Sequence, residues 1–409
     1  VTAEIALGTL VTTAVVMALT AGLLLARRLL VPEGAAPVTV AGRRIEARRG
    51  DGLLSALQGA GILVPAGCGG NGTCGLCRVT VEGPGAGEPK ATERGILSAA
   101  ERRAHVRLAC QVSLRGPVEV DLPGAVLGAR PMLCRVRENR MLAPLIRELV
   151  LELPPGAPFA FRAGDYAQLS APPYALDFAS IDIDPRFEEA WRVARWRSLR
   201  AGTAEGATRA YSLANRPGDA GLLVFDIRLA VPPPGREGEV PPGVVSSWLF
   251  ACRPGDAVEA AGPFGEFHAR PTGREMVFVG GGVGMAPLRA MIHAELASGT
   301  ERRVRYLYGA RSRADLFYAE EFDALAARHA RFRWTPVLSD PAPGDRWRGE
   351  TGFVHEALRR AMEGHPAPES CEYYLCGPPV MIGAVNATLE RLGVEPDAIL
   401  YDDFGSQSP

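Results

Sequence analysis

The chain opens on a stretch without a single charge, Ile5 to Ala26, "IALGTLVTTAVVMALTAGLLLA". Wound as a helix it would extend about 33 Å, enough for a hydrocarbon core of roughly 30 Å. Glu4 precedes the stretch and Arg27 and Arg28 come directly after it. A cleaved export signal carries its positive charge first, so the pattern predicts a single membrane-anchoring helix. An uncleaved signal or a buried core helix are the competing readings. Arg27, Arg28, Arg43, Arg44, Arg48 and Arg49 lie on the C-terminal side of the stretch, and the positive-inside rule places the rest of the chain in the cytoplasm.

After "VPEGAAP" the pattern changes three times. Residues 38–122 show short alternating runs ("PVTVAG", "CRVTVEG", "PVEVDLP") around one helical pattern, "GDGLLSALQGAG", with Leu53, Leu54 and Leu57 on one face and Gly61 as its stop. "GAVLGARP" reads as a linker. Residues 132–270 again alternate strands and turns: "CRVRENR", "IRELVLEL", "GDYAQLSAP", "RAYSLANRP", "LLVFDIRLA" and "DAVEAAGPFG". That rhythm predicts an antiparallel barrel. One insertion, "YALDFASIDIDPRFEEAWRVARWRSLRAG", is too long for a hairpin loop. From Glu275 onward strands and helices alternate, which predicts a parallel sheet covered on both faces. The expected domains are 1–32 (anchor), 33–129, 130–271 and 272–409.

Composition narrows the function classes. At 409 residues the chain exceeds a single core. A formal net charge of −1 leaves no electrostatic footprint for nucleic acid, and six histidines make a His-rich metal site a poor expectation. Eight cysteines over this length do not form a secreted disulfide framework.

Three of those cysteines crowd into "CGGNGTCGLC", as Cys68, Cys74 and Cys77, and Cys110 comes later in "RLACQV". Zinc knots come as two separated short pairs, and there is no second pair here. Three thiolates on one tight loop plus a distant fourth is the arrangement that holds a [2Fe-2S] cluster. Gly67, Gly69, Gly70, Gly72 and Gly75 would let the backbone wrap closely and aim N–H groups at the sulfurs. Five residues separate Cys68 from Cys74; this departs from the plant ferredoxin spacing and resembles ferredoxins of the adrenodoxin type. A zinc loop or free thiols is the plain alternative.

The remaining motifs resemble the ferredoxin-NADP reductase superfamily. Arg209, Tyr211 and Ser212 form its R-x-Y-S pattern: a cation for the FAD pyrophosphate, a ring to lie on the isoalloxazine, and a hydroxyl near the reactive nitrogen. Tyr211 could equally be an ordinary barrel residue. "PPGVVSSW", with Gly243, Val244, Val245, Ser246 and Ser247, resembles a second flavin phosphate loop opening a helix. "GPFGEF", Gly262 to Phe267, resembles the turn into the nicotinamide domain. "VGGGVGMAP" places Gly280, Gly281, Gly282, Gly284 and Pro287 between a hydrophobic strand and a helix, a dinucleotide phosphate loop or a structural turn. "CGPP" puts Cys376, Gly377 and Pro378 at the end of a later strand, where the superfamily places a cysteine beside hydride transfer; a buried strand-end thiol is the alternative. Near the end, Phe404 in "YDDFG" is a candidate flavin-face aromatic or a packing residue. Arg311 or Arg313 could grip a 2′-phosphate, so physics alone leaves NADH and NADPH open.

Longer stretches ("YGARSRADLFYAEEFDAL", "LSDPAPGDRWRGETGFVH", "CEYYLCGPPVM" and the insertion "DFASIDIDPRFEEAW") resemble the F-subunit family of the sodium-translocating NADH:quinone oxidoreductases. The resemblance implies a β-grasp ferredoxin-like domain, an FAD barrel and an α/β nicotinamide domain behind one transmembrane helix. It further implies NADH as donor, other membrane subunits as partners, quinone as final acceptor, and a bacterial inner-membrane location with the soluble domains in the cytoplasm. "ANRP" departs from the family pattern by placing Arg216 near the flavin edge. Two rival readings are an NAD(P)H reductase component of an oxygenase, and a non-enzymatic membrane-tethered electron-transfer protein.

Overall fold

A computed structural model describes residues 2–30, 34–122, 124–219 and 221–403. The chain forms two compact units, Val1–Val64 with Gly70–Leu127 and Pro65–Gly69 with Gly128–Pro409.

The first unit begins with helix α1 (Thr2–Leu30). Its described side chains, Leu7 to Gly22, are all exposed. Among the described residues no helix is long and apolar enough to cross a membrane. The helix itself is as expected; the crossing is a separate matter.

The body of this unit is a five-stranded sheet made of β1 (Val38–Val40), β2 (Arg43–Ile45), β3 (Arg78–Glu82), β4 (Val106–Leu108) and β5 (Val118–Asp121), in the order β2-β1-β5-β3-β4. Only β1 and β5 run parallel. Helix α2 (Leu53–Gly59) buries Leu53, Leu54 and Leu57, and the chain leaves it at Gly61, φ +81°. Two further short helices correct the single-helix expectation, α3 (Ala91–Ile96) and α4 (Ala99–Arg103), and a third, α5 (Gly124–Gly128), follows them. The last lies inside the stretch read as a linker. Helix α4 is started by Ser98 and Glu101, which bond reciprocally to each other's backbone N–H at 3.2 and 2.7 Å.

The second unit holds a barrel and a parallel sheet. Strands β6 (Arg130–Ala143), β7 (Ile146–Glu152), β8 (Tyr166–Ala171), β11 (Ala207–Ser212), β12 (Leu222–Arg228) and β13 (Ala257–Phe264) pair antiparallel in the order β11-β8-β13-β6-β7-β12. A bridge between Leu213 and Phe225 joins the two edges. The insertion forms a ribbon of β9 (Tyr174–Asp177) and β10 (Arg200–Thr203) around short helix α6 (Glu188–Val193). It has its own core: Trp191 is fully buried among Phe178, Phe187, Leu199 and Phe250, with its indole N–H on the Pro144 carbonyl at 2.7 Å. Helix α7 (Val244–Ala251) packs on β8, β11 and β12.

The parallel sheet runs β17-β16-β15-β14-β18-β19, with β14 (Met276–Gly281), β15 (Val304–Ala310), β16 (Phe332–Leu338), β17 (Glu350–Thr351), β18 (Glu372–Gly377) and β19 (Ile399–Asp403). Helices α8 (Met285–Ala297), α9 (Ala319–Arg328), α10 (Val354–Glu363) and α11 (Pro379–Arg391) connect them. Two apolar clusters, one around Phe278, Tyr306 and Phe322, the other around Val279, Leu358 and Leu389, form the two faces. Strand order reverses between β14 and β18, which makes their C-terminal ends the topological switch point of this sheet.

Candidate functional site

In the first unit Cys77 ends the cysteine loop and Cys110 sits in a turn after β4; their sulfurs lie 3.4 Å apart. The Ala109 N–H donates to the Cys77 carbonyl at 2.9 Å, locking the two segments together. Cys74 Sγ accepts the Leu76 N–H at 3.5 Å, and Gln111 donates to Cys110 Sγ at 3.5 Å. Gly72 (φ +74°) and Gly75 (φ +68°) are in the left-handed region, and a Cβ there would meet Gln111 at 2.5 Å and Ile96 at 2.8 Å. Cys68 is buried and falls in Pro65–Gly69. All four cysteines carry thiols rather than disulfides.

The hydrogen bond to Cys110, and then burial, push the Cys77 thiol far above its ordinary range. Two such sulfurs in contact cannot both ionise unless a cation shares their charge, so the donor set fits an iron–sulfur cluster. The sequence reading missed what holds Cys110 in place. Glu93, fully buried, accepts from Arg107 Nε and Nη2 at 2.9 Å each and from the Leu108 N–H at 3.1 Å. Burial alone would raise its carboxyl, yet the Arg107 and backbone hydrogen bonds win and hold it below the usual range.

In the second unit Arg209 and Tyr211 are two apart on β11, so they share one face of the strand, while Ser212 is buried on the other. Helix α7 packs on β11 and starts directly after Gly243, with no side-chain cap. Its first N–H groups, from Val244, Val245 and Ser246, are therefore available to an anion. A Cβ at Gly243 would meet Ser246 at 2.6 Å and Ala230 at 2.8 Å. Tyr174 donates to the Val244 carbonyl, tying the insertion's ribbon to this helix start. Ser247 is fully buried in the same helix. The barrel thus brings the two flavin motifs together, and they fit an FAD pyrophosphate and ring.

At the switch point Gly280 and Gly281 end β14, and Gly282–Gly284 make a turn into α8. Tyr308 donates to the Gly282 carbonyl at 3.0 Å. Pro287 is the third residue of α8, where a missing N–H costs no helical bond. The end of β18 lies against this turn: a Cβ at Gly284 would stand 2.0 Å from the Cys376 carbonyl oxygen and 2.7 Å from the Gly377 nitrogen. Pro378 caps α11. Arg289 of α8 reaches the barrel and donates to the carbonyl of Ala214, two residues past Ser212, at 2.9 Å.

Other expected contacts fall differently. Arg311 is exposed and pairs with Asp340 at 3.4 Å. Arg313 lies in the short turn Arg313–Asp315. Arg216 pairs with Asp219 at 2.9 Å. Phe404 lies outside the described residues. Glu275, His365 and Cys371 bring three possible metal donors within 4.8 Å of one another. Arg305 already pairs with Glu275, and the Ala367 N–H donates to His365 Nδ1 at 3.2 Å, so the arrangement is an ion-pair network.

An iron–sulfur loop, a flavin barrel and a nicotinamide sheet in this order define the reductases that link a two-electron donor to one-electron carriers. Domain families agree: the 2Fe-2S iron-sulfur cluster binding domain matches residues 38–115, the oxidoreductase FAD-binding domain 193–269 and the oxidoreductase NAD-binding domain 278–387. The F subunit of the Na(+)-translocating NADH-quinone reductase of Methylococcus capsulatus is 45% identical over 98% of this chain and 99% of its own. That of Yersinia enterocolitica is 42% identical over 98% and 100%. The chain belongs to the family of Na(+)-translocating NADH-quinone reductase F subunits. Among solved structures, the Amycolatopsis cytochrome P450 reductase GcoB is similar at 31% identity, with a TM-score of 0.62 over 90% of this chain and 98% of its own. The ferredoxin reductase in carbazole 1,9a-dioxygenase, at 22% identity and TM-score 0.60, shares the fold.

Proposed function

We propose that this chain is the NADH-oxidising, electron-input subunit of a membrane-bound sodium-translocating NADH:quinone oxidoreductase. One observation carries the reading: the glycine turn and the Cys376 strand end meet at the switch point, and Arg289 fastens that assembly to the loop just past Ser212. When bound, FAD accepts a hydride from NADH and gives up electrons singly, and a [2Fe-2S] cluster carries them onward.

The chain's own residues divide the work. Arg209 and the α7 N–H groups of Val244, Val245 and Ser246, beside Gly243 and Ser247, bind the flavin pyrophosphate. Tyr211 covers the ring and Ser212 orients its reactive edge. Gly280, Gly281, Gly282, Gly284 and Pro287 form the cradle for the NADH pyrophosphate, and Cys376, Gly377 and Pro378 border the nicotinamide. Phe404 is the aromatic for the flavin face. Arg311, neutralised by Asp340, sits by the adenosine ribose and disfavours a 2′-phosphate. Cys68, Cys74, Cys77 and Cys110 ligate the cluster.

We divide the chain into residues 1–32, 33–129, 130–271 and 272–409, as anchor, ferredoxin, flavin and nicotinamide domains. The charge-free run Ile5 to Ala26 supports α1 as a single-pass inner-membrane anchor that keeps the cytoplasmic domains beside the membrane subunits which receive electrons for quinone. The rival role in an oxygenase system has the GcoB likeness behind it, but identity over nearly the whole chain favours the quinone reductase.

The test is an anaerobic titration of purified full-length protein with NADH and, separately, NADPH, following flavin absorbance and the low-temperature EPR of the cluster. Fast bleaching by NADH with a reduced [2Fe-2S] signal is expected. Equal reduction by NADPH would shift the assignment to the oxygenase type, and protein without flavin or EPR signal would refute an enzyme role.

A further inference from the structure

Between the barrel and the nicotinamide sheet lies a buried polar network that no motif announces. Tyr318, at the start of α9, holds its phenol oxygen 2.5 Å from Glu148 Oε2 on β7 and 2.8 Å from Asp226 Oδ1 on β12. Both carboxylates are buried, 6% and 4% exposed. A phenol has one proton and an ionised carboxylate only accepts, so two carboxylates on one phenol oxygen require a second proton. Glu148 has Arg140 on its other oxygen at 2.7 Å and is supplied with charge. Asp226 has no cation within hydrogen-bond distance among the described residues, and its Oδ2 is buried without a partner. The proton therefore belongs to Asp226, whose hydroxyl donates to Tyr318 while Tyr318 donates to Glu148. Burial, opposed by Arg289 and the Tyr318 bond and reinforced by Glu148 and Glu321, pushes the Asp226 carboxyl up to about 7.

The other charged neighbours belong to the nicotinamide side. Arg289 lies over the Tyr318 ring at 4.3 Å and pairs with both oxygens of Glu321 at 2.7 and 2.8 Å. His293 meets Glu321 at 2.5 Å, and Tyr306 and Tyr308 of β15 complete the surroundings. Arg289 also grips the Ala214 carbonyl. Tyr318 itself is held at φ +58°, a conformation that costs a bulky residue energy and persists only where its surroundings fix it.

We propose that Asp226 carries a proton in the working protein and, through Tyr318 and Arg289, sets the position of the glycine turn against the flavin loop, making it a positioning residue for hydride transfer. The inference rests on the function proposed above. Ionising Asp226 would place two carboxylates against one phenol proton and loosen the contact, so transfer should slow as pH rises through neutrality.

The experiment measures flavin reduction by NADH in stopped flow from pH 6 to 9 on full-length holoprotein, alongside melting temperature against pH. Wild type should lose rate severalfold across one ionisation. Asp226→Asn, which can still donate to Tyr318, should keep the low-pH rate and flatten the profile. Asp226→Ala should be slow at every pH. Independently of NADH, the raised carboxyl makes wild-type stability fall relative to Asp226→Asn as pH rises from the ordinary aspartate range to about 7, and level off above it. Parallel melting curves, or an unchanged pH profile in Asp226→Asn, would overturn the proposal. A wild type that NADH does not reduce would overturn the function while the melting comparison still decides Asp226.

Discussion

Replacing Gly284 by alanine is the sharpest probe of the switch point. Its backbone, φ −62° and ψ −9°, suits alanine, so no conformational strain enters. The cost is purely one of contact. The new Cβ would lie 2.0 Å from the Cys376 oxygen and 2.3 Å from its carbonyl carbon, both backbone atoms that cannot swing aside. Ordinary contact requires the turn and the β18 end to separate by about 1.4 Å. Overpacking of this kind costs about 1–3 kcal/mol, which corresponds to a melting temperature lower by roughly 2–12 °C. Displacing reacting groups by about 1 Å can cost on the order of 100-fold in rate. Stopped-flow bleaching of the flavin by NADH, with a thermal melt of the same sample, reads both. Gly383→Ala is the control: it lies in α11 with nothing within 4 Å, and alanine there should stabilise by about 0.5–1 kcal/mol. If Gly284→Ala reduced its flavin at nearly the wild-type rate with an unchanged melt, the close approach of the glycine turn and the β18 end would not position the nicotinamide.

Three further outcomes are expected. Arg107→Met, which strands Glu93 in the ferredoxin core, should destabilise that unit by about 3–5 kcal/mol in urea unfolding at pH 7. Because the Glu93 carboxyl is held low, its contribution is present above the ordinary carboxylate range and lost as pH falls through it, so the variant should show a shallower loss of stability in acid. Cys110→Ser should abolish the reduced-cluster EPR signal while NADH still bleaches the flavin. Asp340→Asn, which leaves Arg311 unopposed, should raise NADPH turnover relative to NADH in steady-state assays; an unchanged ratio would remove Arg311 from the nucleotide site.

The legible parts of the chain were those where pattern and chemistry coincide. Leu53, Leu54 and Leu57 mark α2, and the six barrel strands and the glycine turn stand where alternation and turn residues put them. Helix α11 and strand β19 escaped because "CGPP" reads as an ending, although Pro379 is well suited to a first helical position. The Asp226 network escaped for the opposite reason. In β7 both Arg147 and Glu148 are buried, so charged residues occupy positions that a binary pattern assigns to solvent. Only their tertiary partners explain why they are tolerated there: the Asn139 carbonyl and the Phe250 ring for Arg147, Arg140 and Tyr318 for Glu148.

One edge strand of the parallel sheet has a practical consequence for anyone handling this protein. Strand β19 pairs with β18 so that Cys376 faces Asp402 and Gly377 faces Asp403. An affinity handle or fluorescent fusion appended soon after Asp403 would hang directly from the strand that pairs with the Cys376 strand end. A turn such as the one around Gly235 between β12 and α7, with open space about it, is the alternative place for a label.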